Sequence, residues 1–146
     1  MIDVRFPTAL QMMLSLALAQ AEGVGPLSST QLAEGVDSHP TFVRRLLVPL
    51  NQAGLIISTM GRDGGVSLST DAATITLADV YKAVMGDKKL WTQRSDIPHR
   101  CLVSSNVERF FGNLADEVDE SVLHFLGTRT LADALIELRT LDGERV

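Results

Sequence analysis

A pair of short helical patterns followed directly by a hairpin pattern limits the possible folds of this chain more than any other part of its sequence. Ser28 and Gln31 have the spacing of a capping box, in which each side chain binds a backbone amide of the other residue, so a short helix is expected to begin there. A second helix is expected a few residues later, with Ser38 as its N-cap and Pro40 in its first turn. Two helices joined by so short a turn have the spacing of a helix-turn-helix.

The second of these helices is predicted to be amphipathic, because its apolar residues recur at intervals of three and four. The second helix of a helix-turn-helix offers its amino end to the major groove, so the polar face is predicted to contact base edges or phosphates. The alternative is an ordinary solvated face on a packed helix. The apolar face is Val43, Leu46, Leu47 and Leu50, and the opposite face carries Val48 together with the predicted DNA contacts Thr41, Arg44 and Arg45.

A glycine-rich hairpin is predicted immediately after the second helix. The runs "LIIS" and "VSLS" indicate two strands, and Asp63-Gly64 is predicted to form a two-residue type I′ turn, because that turn needs positive φ at both positions. Arg62 would then lie at the tip of a thin ribbon. A ribbon in this place is the wing of a winged helix, and its arginine suits a minor groove or a phosphate.

A long amphipathic helix is predicted near the carboxyl end, with Ser105 and Glu108 forming its cap. About 22 residues make a helix of roughly 33 Å, and its apolar stripe has more surface than the first 86 residues can cover. We therefore expect a second subunit to cover the stripe in a homodimer. The stripe consists of Val107, Phe110, Phe111, Leu114, Val118, Val122 and Phe125.

The remaining patterns complete the predicted fold. Residues 8–21 are apolar almost all round, as in a helix buried on several sides, and Thr-Leu-Ala-Asp opens further helices at Thr76 and Thr130 with capping-box spacing. The predicted fold class is mainly α with a small β-ribbon, a winged helix-turn-helix domain followed by a long dimerisation helix. The predicted divisions are a DNA-binding domain at 1–86, a linker or sensor loop at 87–103, and dimerisation helices at 104–146.

Charge and composition limit the functions that are open to the chain. The net charge is −5, and the first 70 residues contain four arginines and five acidic residues. No broad basic field is therefore expected to attract DNA. A winged helix that binds another protein is therefore an alternative. Residues 9–19 are too short to span a bilayer, one cysteine cannot form an intrachain disulfide, and the sequence contains no enzyme motif. We expect a cytoplasmic protein that is neither an enzyme nor membrane-bound.

The stretches "MMLSLALAQ", "LSSTQLAEGVDSHPTFVRRLLVPLNQAGLIIS", "GRDGGVSLS" and "ITLADVYKAVMG" resemble the Rrf2 family of bacterial winged-helix transcription regulators. The resemblance runs over most of residues 6–140. It implies a homodimeric repressor of a double-stranded DNA operator, whose long carboxy-terminal helix crosses to the partner. The DNA contacts implied by the resemblance are Ser38, Thr41, Arg44 and Arg45 on the recognition helix, and Arg62, Gly64 and Gly65 on the wing.

The resemblance also bears on the cofactor. Family members that bind an iron-sulfur cluster have three cysteines in the segment that corresponds to residues 90–107, whereas this chain has only Cys101. A [2Fe-2S] cluster usually needs four protein ligands. The resemblance therefore implies no cofactor, and a cluster-sensing regulator with His99 and Asp96 as further ligands is the alternative.

The signal is expected to act near Cys101, which resembles the lone cysteine that cluster-free members carry just before the long helix. Arg100, His99 and the nearby helix amino terminus would favour its thiolate, so oxidation of this thiol would make it a redox sensor. The alternative is an inert cysteine packed between loop and helix. Trp91 is the second predicted sensor residue, lining a small-molecule pocket with Tyr81, and the alternative is a hydrophobic plug.

Overall fold

The computed structural model describes residues 2–62 and 64–144, and it confirms the predicted fold class. In the described chain, six α-helices and a two-stranded antiparallel ribbon follow one another. In order they are α1 (Arg5–Ala21), α2 (Ser29–Gly35), α3 (Pro40–Gln52), β1 (Ile56–Thr59), β2 (Gly65–Leu68), α4 (Leu77–Met85), α5 (Leu102–Leu126) and α6 (Leu131–Gly143), with a 3₁₀ turn at Ala72–Thr74. None of the helices in these two ranges is long and apolar enough to cross a membrane.

The core is built around α1, as the apolar sequence of that helix predicts. Met12 and Met13 are fully buried although they are neighbours in sequence, and Leu16 is also buried. Successive helical residues point in directions about 100° apart, so burial of both methionines requires packing on several sides. α1 contacts α2, α3, α4, α6 and β2, and the core also contains Val43 and Leu50 from α3.

The helix-turn-helix forms with the predicted capping box at its start. The Ser28 hydroxyl accepts a hydrogen bond from the amide of Gln31 at 3.1 Å, and the Gln31 side-chain oxygen accepts one from the amide of Ser28 at 2.8 Å. α3 ends before Gly54, which adopts a φ of +74°. The amide of Leu55 then donates to the carbonyl of Leu50 at 3.1 Å, which is the Schellman arrangement that positive φ after a helix allows.

The predicted N-cap of α3, Ser38, is wrong. The cap is His39, whose Nδ1 accepts a hydrogen bond from the amide of Thr41 at 3.0 Å. Pro40 occupies the first helical position, so the capping position falls on the residue before it. The amide of Ser38 is used instead to end α2, because it donates to the carbonyl of Ala33 at 3.0 Å.

The ribbon has a longer connection than predicted. β1 and β2 pair antiparallel with Thr59 opposite Gly65, so the five residues 60–64 join the strands. A two-residue turn at Asp63-Gly64 is incompatible with this register and is wrong; Asp63 itself lies outside the described residues. The observed register places the buried Ile56 opposite the buried Leu68, whereas a two-residue turn at these positions would place Thr59 there.

The inner strand of the ribbon is attached to the domain. Val66 and Leu68 are buried on one face of β2. Leu27, in the loop after α1, exchanges two backbone hydrogen bonds with Val66, at 2.9 and 2.7 Å. β2 therefore lies between β1 and the α1–α2 loop, and the base of the ribbon has a fixed position on the domain.

The two Thr-Leu-Ala-Asp segments meet in the structure. Each forms the predicted capping box, with Thr76 and Thr130 as N-caps. The two threonines lie opposite each other in an isolated antiparallel bridge, and backbone hydrogen bonds of 3.0 and 2.8 Å join the residues beside them. α4 and α6 thus begin side by side, which attaches the last helix to the winged-helix domain.

α5 begins earlier than predicted. Its N-cap is Cys101, so the predicted start with Ser105 as the cap is wrong, and the 25 residues of the helix extend for roughly 37 Å. Cys101 and Ser104 have capping-box spacing, but a thiol is not among the side chains that normally favour this position. α5 packs against α4, and Ala115 is the buried residue of the helix.

Candidate nucleic-acid interface and sensor region

The structure places Thr41, Arg44 and Arg45 together on the exposed face of α3. The opposite face is held in the core, with Val43 and Leu50 fully buried. A guanidinium nitrogen of Arg44 lies 3.5 Å from the hydroxyl oxygen of Thr41, one helical turn earlier. The predicted contact residues of α3 are therefore free of the core and share one surface.

Ser38 differs from the other predicted contact residues because it lies half-buried in the turn between α2 and α3. The sequence did not predict that His39 is the N-cap of α3. Because its Nδ1 accepts the amide hydrogen of Thr41, the neutral ring carries its hydrogen on Nε2. The signal for this assignment was Pro40, since a proline at the first helical position marks the residue before it as the cap.

The wing residues have separate roles in the structure. Arg62 is exposed at the ribbon's tip. Gly64 and Gly65 are half-buried, and both lack room for a side chain: a Cβ at Gly64 would collide with the carbonyl oxygen of Thr59, and one at Gly65 would lie 2.6 Å from the carbonyl oxygen of Leu27. Gly65 also adopts a φ of +150°. The shape of the ribbon thus requires these glycines, and their contact with DNA stays a prediction.

Two adjacent lysines of the linker bind different parts of the molecule. The ammonium group of Lys88 pairs with the carboxylate of Asp3, at the start of the winged-helix domain. Arg5, and after it Lys88, hold the pKa of the Asp3 carboxyl far below its usual value by hydrogen bonding. Lys89 lies 3.3 Å from a carboxylate oxygen of Asp116 on α5, and this bond raises the lysine pKa. The linker therefore contacts both the winged-helix domain and α5.

The linker then lies along α5. The indole nitrogen of Trp91 donates to the carbonyl of Phe111 at 3.2 Å, and the side chain of Gln93 lies against Gly112, where a Cβ would be 3.0 Å from the amide nitrogen. Tyr81, expected beside Trp91, packs edge-to-face on Phe6 with ring centroids 5.1 Å apart. Trp91 and Tyr81 thus have different partners, and a ligand-binding role for Trp91 stays a prediction.

Cys101 is an exposed thiol at the amino end of α5. Its sulfur lies 3.5 Å from both the hydroxyl oxygen and the amide nitrogen of Ser104. Hydrogen bonding by the Ser104 side chain, and then by the amides of Ser104 and Val103, lowers the pKa of the thiol below its ordinary value. The groups that favour the thiolate are therefore those of the helix cap, rather than the side chains of Arg100 and His99.

The predicted stripe on α5 stays largely uncovered in the single chain. Phe110 is 59% exposed and Phe125 is 58% exposed, Phe111 is also exposed, and the four other stripe residues are half-buried. Because the helix begins earlier than predicted, Leu102 and Val103 extend the exposed apolar surface. They form a groove of about 320 Å³ with Asn106, Val107, Phe110 and Phe111.

A helix-turn-helix followed by a ribbon anchored on the same domain defines a winged helix, a fold used by many DNA-binding proteins. The chain belongs to the Rrf2 family: the family model, described as an iron-dependent transcriptional regulator, matches residues 2–137. The protein is therefore a transcription regulator and not an enzyme.

Named relatives agree with this assignment. The putative HTH-type transcriptional regulator YwnA of Bacillus subtilis is 28% identical over 111 residues, which cover 76% of this chain and 83% of YwnA. The structure of T. potens IscR has a TM-score of 0.69 and 23% identity, over 94% of this chain and 88% of that one. The oxidized form of Staphylococcus aureus CymR has a TM-score of 0.66 and 25% identity, over 92% and 95% of the two chains.

Because the family is described as iron-dependent, the metal-ligating side chains of this chain are of interest. Among residues 2–62 and 64–144, no group of three or more His, Cys, Asp or Glu side chains is placed so that it could hold a metal ion. Cys101 is the chain's one thiol, and its sulfur takes part in the α5 cap. The described residues of a single chain do not fit an iron-sulfur cluster, which normally has several thiolate ligands.

Proposed function

We propose that the protein is a homodimeric, cytoplasmic repressor that binds a pseudo-palindromic DNA operator and responds to an oxidant or a small molecule. The observation that carries the proposal is the exposed face of α3, where Thr41, Arg44 and Arg45 lie together. Arginine can bond to the O6 and N7 atoms of guanine or to phosphate oxygens. Arg62 on the wing would contact the flanking backbone or the minor groove, with Ser38, Gly64 and Gly65 close to the DNA.

The proposed dimer is joined through α5. The exposed phenylalanines and the groove at the helix's amino end supply an apolar surface that a second copy could cover by isologous contact. Two recognition helices related by the dimer axis would then contact half-sites about 34–36 Å apart, one turn of DNA.

The proposed signal acts where the linker meets α5. The Cys101 thiolate would attack one oxygen of a peroxide; the O–O bond breaks, the sulfur is oxidised to a sulfenic acid, and hydroxide leaves when the oxidant is hydrogen peroxide. Cys101 caps α5, and the linker before it contacts the winged-helix domain through Lys88. A changed cap could therefore alter the spacing of the recognition helices. In the small-molecule version, the ligand would bind beside Trp91.

Fluorescence anisotropy with a labelled duplex from upstream of the protein's own gene tests the DNA-binding proposal. Titrations at about 50 mM and about 200 mM salt should show the steep loss of affinity that counterion release produces. The double variant Arg44→Ala/Arg45→Ala is expected to bind at least about tenfold more weakly. Arg139→Ala, at an exposed position on α6, is the matched control and should bind normally. Failure to bind this duplex and any duplex from a genome-wide selection would favour a protein-binding adaptor.

The same titration after peroxide treatment tests the redox signal. The wild-type protein should lose affinity for the operator, and Cys101→Ser should keep it. A Cys101→Ser protein that still responds to peroxide would contradict the thiol mechanism. Wild-type binding that ignores peroxide would favour the small-molecule version.

A further inference from the structure

Met60 is an apolar side chain that the fold does not explain. At 93% exposure it is the most exposed large apolar side chain in the described part of the chain. The side chains of Leu102 and Val103 are also strongly exposed, but they lie on α5, where the proposed dimer would cover them. Met60 lies on the ribbon, directly after β1 ends at Thr59. Its apolar surface gains nothing from the hydrophobic effect while it remains in water.

The tip of the ribbon presents Met60 and Arg62 from a closed loop. The amide of Gly64 donates to the carbonyl of Gly61 at 3.1 Å, and a Cβ at Gly64 would collide with the carbonyl oxygen of Thr59. The end of the loop therefore lies tightly against its beginning. Both Met60 and Arg62 are exposed on this loop, one apolar and one cationic.

We propose that Met60 is an apolar wedge that enters the minor groove beside the operator and partly unstacks one base step, while Arg62 holds a neighbouring phosphate. This inference rests on the DNA binding proposed above and adds what the wing does there. Proteins that bind the minor groove insert apolar side chains, methionine among them, between base steps and bend the duplex. Methionine is unbranched and has three rotatable bonds, so it can adapt to a narrow groove.

The wedge predicts a sequence preference without base hydrogen bonds. Pyrimidine–purine steps, such as TA, are the most easily kinked and unstacked. Each half of the operator should therefore contain such a step where the wing meets the flank. Replacement of that step by a stiff A-tract should weaken binding, although no polar contact to a base is lost.

The test uses the full-length protein and a duplex that it selects from a random-sequence pool, with 2-aminopurine placed at each flank position in turn. Wild-type protein should raise the fluorescence at one step in each flank, and energy transfer between end labels should report a bend. Met60→Ala should abolish the fluorescence rise, reduce the bend and raise the Kd about tenfold. The salt dependence of binding should not change, because no phosphate contact is removed.

Matched variants separate the wedge from general effects on the wing. Met60→Leu keeps an apolar side chain of similar volume and should retain the fluorescence rise. Ile57→Ala, which removes a half-exposed apolar side chain from β1, should also retain it. Arg62→Ala should make DNA binding less dependent on salt, because a phosphate contact is lost. The complexes that still form should show the same fluorescence rise as the wild type.

The outcomes that overturn the wedge differ from those that overturn DNA binding. Salt-sensitive binding by the wild-type protein without a fluorescence rise at any flank step would overturn the wedge alone. An undiminished rise with Met60→Ala would do the same. Absence of salt-sensitive binding to any selected duplex would overturn both the wedge and the proposed function.

Discussion

Helix α3 and helix α5 are both amphipathic, yet only α3 buries its apolar face within one chain. The 13 residues of α3 include Val43, Leu46 and Leu50 as buried residues, whereas the 25 residues of α5 include only Ala115. The apolar face of α3 is therefore covered within one chain, whereas that of α5 needs another surface. Amphipathic spacing predicts that a face will be covered, and the tertiary structure shows whether the same chain covers it.

The amount of apolar surface on α5 supports this contrast. Full burial of a phenylalanine side chain contributes about 1.5–3 kcal/mol, and Phe110, Phe111 and Phe125 all remain exposed in the single chain. Helices in water gain most of their stability from packing of the apolar face rather than from intrinsic propensity. A partner on this face would therefore stabilise the helix as well as the assembly.

The largest change in stability is expected in the buried core beneath α3. Leu50→Ala should lower the free energy of unfolding by about 2–5 kcal/mol, because it leaves a cavity in the core beneath α3. Urea denaturation followed by circular dichroism measures this change. Val48→Ala, on the exposed face of the same helix, is the control and should change stability by less than about 0.5 kcal/mol. Equal losses in the two variants would contradict the described packing of α3.

A charge in the α5 stripe should act on assembly rather than on the winged-helix core. Phe110→Asp should raise the dimer dissociation constant by at least about tenfold, because the carboxylate would be desolvated in the interface. Sedimentation equilibrium measures the constant. Ser105→Asp introduces the same charge at an exposed position about 140° round the helix from Phe110 and should leave the constant nearly unchanged. An unaltered dimer in Phe110→Asp would place the interface elsewhere.

The stability of the ribbon is expected to depend on close backbone contacts within the chain. Gly64→Ala should destabilise the ribbon by about 1–3 kcal/mol, because the new Cβ collides with the carbonyl oxygen of Thr59. Hydrogen exchange of the Val66 amide, which bonds to Leu27, would report the loss. Gly35→Ala places its Cβ in open space and is the matched control. Equal protection of Val66 in both variants would show that the ribbon tolerates the added methyl group.

The smallest expected effect concerns the cap of α5. Because the pKa of Cys101 is lowered, its alkylation by iodoacetamide should reach half of its maximal rate at a pH below the ordinary thiol value, and Ser104→Ala should raise that midpoint. Ser105→Ala is the control. The lowered pKa also favours the folded state above the ordinary thiol pKa, and this contribution disappears as the pH falls through the lowered value. A midpoint that is the same in Ser104→Ala and wild type would remove Ser104 as the cause.

The parts of the fold that could be predicted depend on residues close together in sequence. The capping boxes at Ser28, Thr76 and Thr130 form as predicted, because the hydrogen bonds of each span three residues. The faces of α3 follow from helical periodicity in the same way. The errors at Ser38 and Ser105 came from choosing between nearby capping residues, where serine is the stronger local signal and the structure uses His39 and Cys101.

For the candidate DNA interface, the sequence predicted which side chains are exposed but not the contacts that shape the wing. The exposure of Arg44 and Arg45 follows from their helical positions. By contrast, glycine is required at position 65 because the carbonyl of Leu27 lies where a Cβ would be. Leu27 is 38 residues earlier in the chain, and no local pattern predicts that contact. The register of β2 likewise follows from the burial of Val66 and Leu68 against the domain rather than from the turn residues.

The sequence alone predicts where α2, α4 and α6 begin, which face of α3 is apolar, and that α5 carries more apolar surface than the chain can cover. These properties arise from hydrogen bonds and periodicities within a few residues. Long-range packing instead places Thr76 opposite Thr130, holds the linker on α5 through Lys89 and Trp91, and leaves Met60 in water. Such contacts join residues far apart in sequence, so they depend on how all the other elements pack.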